Sequence, residues 1–191
     1  MEKIKLLLYC TKQPPYLIRF GNCYGYNQFD TSFCKEEHIS AYEYGQEILN
    51  GKIVAECDFE VEHLYNAYSP YRENDIHYFD TDTLNEAELI KKSCLSNLEL
   101  ENYFKNKNGY AIHIKNLNIF DKPRELSEYS KRIGDDFQVL GNAPKNMMKC
   151  CEIKYFIKDY ILISIRPEWL VKILNGEQTI LVKKKVLKEM L

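Results

Sequence analysis

No apolar run in this 191-residue chain reaches the roughly 18 residues that a membrane span requires. Leu6-Leu7-Leu8 is the nearest approach to a signal-peptide core, and it is too short and lacks a small-residue cleavage site after it. Proline and glycine are scarce, with 6 and 8 copies, and no Pro/Gly linker, internal repeat or low-complexity run divides the chain. The reading is therefore one domain. The 7 cysteines include no C-x-x-C pair. Their odd number and irregular spacing, with no secretory leader, point to reduced thiols in a cytoplasm. Cys23, Cys34 and His38 would supply only three ligands where a structural zinc site needs four, so no metal is expected. No G-x-S-x-G, P-loop or H-E-x-x-H occurs, which removes the common signatures of serine hydrolases, nucleoside triphosphatases and zinc proteases.

What is present is aromatic and unevenly charged. With 15 Tyr and 9 Phe but 1 Trp, core and surface alike should carry rings, and a tyrosine often keeps its polar tip in water. The net charge of −2 conceals an asymmetry. From Lys154 to Leu191 there are eight basic and four acidic residues, so this tail is +4 and the remainder −6. A local basic surface suits an anionic partner; the other reading is an ordinary solvated face.

Periodicity gives the elements. Lys3–Thr11 reads as a strand, Pro14–Asp30 as a loop with short strands, and Glu36–Leu49 as a helix. "GKIVAECDFEVEH" alternates, with Ile53, Ala55, Cys57, Phe59 and Val61 on one face and Val54, Glu56, Asp58, Glu60 and Glu62 on the other. The carboxylate row reads as the solvated face of a half-buried strand rather than a metal or acid/base site. Tyr65–Asp82 reads as an irregular aromatic-acidic insertion. Asn85–Ser93 and Asn97–Asn106 are short helices, the second with a Ser96/Glu99 capping box. "GYAIHIKNLNIF" is a strand in which His113 reads as a plain exposed histidine, with a cleft residue as the other reading, and Pro123 suits the first turn of a short helix. "NMMKCCEIKYF" extends again.

The end of the chain is the most informative stretch. Ile161–Ile165 is a continuous apolar run, hence a buried strand. Pro167 opens a helix whose stripe of Trp169, Leu170, Ile173 and Leu174 packs inward, and Asn175-Gly176 closes it. Thr179–Val182 is a second strand, which enters solvent at Lys183-Lys184-Lys185. Many strands with few helices between them give an α+β fold, read as a small antiparallel barrel.

"SIRP" at Ser164–Pro167, followed by Gly176–Lys183 in place of a G-x-K-x-x-E-x-R motif, resembles the ASCH domains of the PUA-like superfamily. "YCTK" at Tyr9–Lys12, "NGKIVAEC" at Asn50–Cys57, "GYAIHIKNLNIFDKPRELSEY" at Gly109–Tyr129 and "PKNMM" at Pro144–Met148 are similar to family members carried by phages and mobile elements. The order differs. In the family the "SIKP" strand and helix come first, whereas here they come last, so the resemblance implies a circularly permuted PUA-like barrel. Two other accounts of the tail stand beside it, a swapped homodimer and the start of a second domain.

The resemblance implies binding of RNA, a nucleotide or a modified nucleobase. Family enzymes that hydrolyse an acylated cytidine use a Lys and a Thr of this motif with a carboxylate. Here the Lys position is Gln178, the Thr and Glu positions both fall on Leu181, and the Arg position is Lys183. A glutamine is no base and a leucine no nucleophile, so no catalytic group and no cofactor are expected. The candidate contacts are Arg166, Lys183 and Lys185 to phosphate, Gln178 to a base edge, and Tyr9 as a stacking ring, Trp169 reading as core. Ser164 and Thr179 lie at the same element ends, and Lys12 and Arg19 join them if the permutation holds. Two competitors are a diverged amidohydrolase with another base, such as Glu56, and an inhibitor that binds a host protein through the Tyr65–Asp82 insertion.

Overall fold

The structure, a computed structural model, describes residues 3–11, 51–68, 77–105, 107–154 and 158–191. The helix read over Glu36–Leu49, the three-ligand set of Cys23, Cys34 and His38, and the candidate contacts Lys12 and Arg19 lie outside the described residues. Among the described residues nine strands form a mixed sheet that does not close, and three α-helices accompany it. The α+β class is as read; barrel closure is not found among the described strands. The residues cluster into two compact units, each made of two chain segments: Met1–Cys57 with Asn118–Leu174, and Asp58–Leu117 with Asn175–Leu191.

In the first unit, β1 (Lys5–Cys10) pairs in parallel with β8 (Asp159–Ile165), and β8 pairs antiparallel with β7 (Met147–Glu152). The continuous apolar run of β8 follows from that position. It lies between two strands, and Ile161, Leu162 and Ile163 are fully buried, so no polar face is needed. Beyond β7 come β5 (Tyr129–Ile133) and β6 (Asp136–Val139), a hairpin turning at Gly134-Asp135. That hairpin is absent from the sequence reading because its strands are short and β6 is exposed throughout, leaving no alternation to detect. After β8, α3 (Pro167–Leu174) buries Leu170 and Ile173, while Trp169 is only half-buried and carries the Lys172 ammonium 4.6 Å from its ring centre. The inward stripe is thus narrower than its periodicity implied. Gly176, at φ 75°, follows the helix in the left-handed conformation that a side chain disfavours.

The second unit is built on two long strands. β2 (Ile53–Tyr68) and β4 (Gly109–Arg124) each run for 16 residues and pass from one unit into the other. β2 continues three residues beyond Tyr65, where the sequence suggests an irregular insertion, and residues 65–68 pair antiparallel with β3 (His77–Asp80). β4 likewise continues through Pro123, so the helix expected there is one 3₁₀ turn, Leu126–Glu128. β9 (Ile180–Lys183) pairs antiparallel with β4.

On one face of this unit, α1 (Glu86–Ser93) and α2 (Asn97–Phe104) close a core of Leu64, Phe79, Leu89, Leu100, Phe104, Ala111 and Ile180. Both helices start in capping boxes, Asn85 with Glu88 and Ser96 with Glu99, each satisfying two otherwise unpaired backbone donors. Gly109 is fixed by packing. A Cβ there would stand 2.1 Å from the Phe104 ring and 2.8 Å from the Lys183 carbonyl oxygen.

Candidate nucleic-acid interface

The face of the second unit opposite α1 and α2 follows from strand alternation. Leu64 and Ala111 point into the helical core, so their neighbours His63 and Tyr65 on β2, and Tyr110 on β4, point the other way. Their rings form a row, His63 being 6.1 Å from Tyr65 and 5.1 Å from Tyr110 between ring centres. Antiparallel partners share a face. Tyr110 stands opposite Lys183 of β9, and Tyr65 stands opposite Asp80 of β3. The row across four strands is therefore Asp80, then Tyr65 and His63, then Tyr110, then Lys183. At ~4.8 Å per strand it spans about 14 Å.

Its electrostatics are polarised. Burial alone pushes the Lys183 ammonium below its ordinary pKa, and no carboxylate is paired with it among the described residues. Around it, Lys184 Nζ lies 5.0 Å from the Tyr103 ring centre, Tyr103 is 40 % exposed, and Lys185 is exposed.

The residues named from sequence are distributed as follows. Tyr9 and Ser164 are register partners across β1 and β8 in the first unit. The Tyr9 ring is 4 % exposed inside a cluster with Leu7, Ile53, Tyr129 and Leu162, so its faces are spent on packing. Burial, then the nearby Cys10 and Glu125, raise its hydroxyl pKa. The Ser164 hydroxyl donates to the Pro144 carbonyl at 2.6 Å. Arg166 is exposed at the start of α3, with Glu168 3.9 Å away. In the second unit Gln178 is 4 % exposed, and its amide nitrogen donates to the Ser93 and Ile180 carbonyls at 3.0 and 3.1 Å. Its Oε1 is buried without a partner among the described residues. Thr179 donates its backbone N–H to Lys92 and accepts from Ile114. Of the named set, Arg166, Thr179 and Lys185 are exposed and Lys183 is half-buried.

His63, Tyr65, Tyr110 and Asp80 went unread. The signal was there in the period-2 pattern: the face that carries Phe59 and Val61 continues at His63 and Tyr65. Ending the strand at His63 hid it. The carboxylates on the other face of β2 are not merely solvated. Glu56 pairs with Lys5 at 3.2 Å, Glu60 pairs with Lys115, and Asp58 accepts from Asn116 at 2.7 Å. Glu62 meets His113 at 3.0 Å, so His113 is a half-buried, carboxylate-paired histidine and not a plain exposed one. Glu56, the alternative base, is tied to an ammonium.

Among the described residues no group of three or more His, Cys, Asp or Glu could hold a metal ion, and no helix is long and apolar enough to cross a membrane. No family model, curated protein or solved structure matches this chain.

Proposed function

We propose that this protein binds single-stranded RNA or a nucleotide on the ring-bearing sheet face of its second unit, and that it does so without catalysis. The observation that carries this reading is the ring row of Tyr65, His63 and Tyr110 ending at Lys183, a half-buried ammonium with no carboxylate partner among the described residues. Bases have π-faces that stack on such rings, and the phosphates between them need cations at the margin. Lys184 and Lys185 extend the cationic margin where β9 ends.

The resemblance to permuted ASCH domains supports the same ligand class. The late strand β8 lies between β7 and β1. A tail that completes the domain's own sheet fits a permutation. The ligand surface, however, moves away from Tyr9, which is buried in the core, and from Gln178, whose amide nitrogen is spent on two carbonyls, to the rings of β2 and β4.

The test is fluorescence anisotropy with a short single-stranded RNA at several salt concentrations. Binding should weaken as salt rises, because neutralised phosphates release counterions. Tyr110→Ala should weaken it by about 1–3 kcal/mol, the worth of one stacked base. Absence of binding at low salt refutes the reading.

A further inference from the structure

Asp80 is the carboxylate of the ring row. It is half-buried at the end of β3, the register partner of Tyr65 on the neighbouring strand. A carboxylate beside a nucleic-acid platform repels phosphate, so the backbone must enter from the opposite end, where Lys183 stands. What a carboxylate does attract is an N–H. A base stacked on Tyr65 presents its edge toward the neighbouring strand, where an ionised carboxylate can only accept.

We infer that Asp80 is a specificity-determining residue that reads the base on Tyr65 as one bearing an exocyclic amino group. This rests on the platform proposed above. Cytosine offers N4–H₂ to the carboxylate, whereas uracil offers the O4 carbonyl, two acceptors facing each other. Between these two pyrimidines stacking surface is nearly equal, so the difference isolates the edge contact.

The experiment compares a cytidine and a uridine dodecamer by anisotropy at one salt concentration, with the native protein and Asp80→Asn. The native protein should favour the cytidine oligomer by about tenfold or more, the worth of one hydrogen bond to a charged group against a repulsive contact. Asp80→Asn should remove most of the preference, chiefly by tightening uridine binding, because the amide can donate to O4. A third oligomer, with 2-pyrimidinone in place of cytosine, tests the same contact without altering the protein; it should lose the advantage. Equal affinity for cytidine and uridine overturns the role of Asp80 and leaves the platform standing. Failure of both oligomers to bind at low salt overturns the platform and the inference together.

Discussion

Glu62 Oε2 stands 3.0 Å from His113 Nε2 across β2 and β4, while its Oε1 accepts the Thr83 hydroxyl at 2.6 Å. One carboxylate thereby ties the sheet to the turn that precedes α1. The two side chains are 16 % and 18 % exposed, so water competes only weakly for these bonds.

The first prediction concerns acid. Burial raises the Glu62 pKa, but hydrogen bonds from Thr83, Thr81 and His113 outweigh it and hold the carboxyl below its ordinary value. A depressed folded-state pKa contributes stability that is present above the unfolded value, about 4.3, and lost as pH falls through the folded one. Glu62→Ala should cost about 1–3 kcal/mol at pH 7 by urea denaturation, since it strands two partners. Below about pH 4 the gap to the native protein should narrow.

Lys183 should show the opposite balance of stability and binding. Burial lowers its pKa, so the unfolded chain binds its proton more readily, and stability contributed at this site rises with pH toward the unfolded value near 10.4. Lys183→Met keeps the length of the side chain and removes the buried charge. It should raise stability at pH 7 by about 0.5–1 kcal/mol while reducing the salt slope of RNA binding by about 0.7. Calorimetry and the anisotropy titration read the two effects separately.

Gly109 joins α2 to β4 where the backbone passes against Phe104 and Lys183. Gly109→Ala places a methyl 2.8 Å from a carbonyl oxygen that belongs to the β9 backbone, which a side-chain rotation does not relieve. A loss of about 1–3 kcal/mol is expected from overpacking, measured by thermal or urea denaturation. Gly141→Ala, where a Cβ meets nothing within 4 Å, is the control and should be near neutral.

The thiols should differ in reactivity by burial. Cys10 and Cys150 are buried, and burial is the chief cause that pushes each up to about 12, so their thiolate fraction at pH 8 is negligible. Among the described cysteines Cys94 is half-buried and the others are buried. Brief alkylation of the native protein followed by peptide mass spectrometry should find Cys94 modified ahead of Cys10, Cys57, Cys150 and Cys151.

Much of the secondary structure was legible because its determinants are local. The buried run at Ile161–Ile165, the boxes at Asn85 and Ser96, and Gly176 after α3 each act within a few residues. The β5–β6 hairpin escaped because its exposed strand has no polar-apolar contrast. Pro123 misled because a proline that suits a helix start is also tolerated in a strand where no partner needs its N–H.

The sequence by itself determined the strands and helices with strong local patterns, the burial of the Ile161–Ile165 strand, and that charge is concentrated in the tail. Each of those depends on neighbours one to four positions apart. Only the tertiary structure decided which side chains share a face across strands distant in sequence. It buried Tyr9, spent the amide nitrogen of Gln178 on two backbone carbonyls and paired His113 with Glu62. It also aligned Asp80, Tyr65, His63, Tyr110 and Lys183 in one row. Register is the physical reason: a shift of one residue in β2 would turn His63 and Tyr65 toward the helices, and no local pattern in β2 alone selects the partner residue on β4.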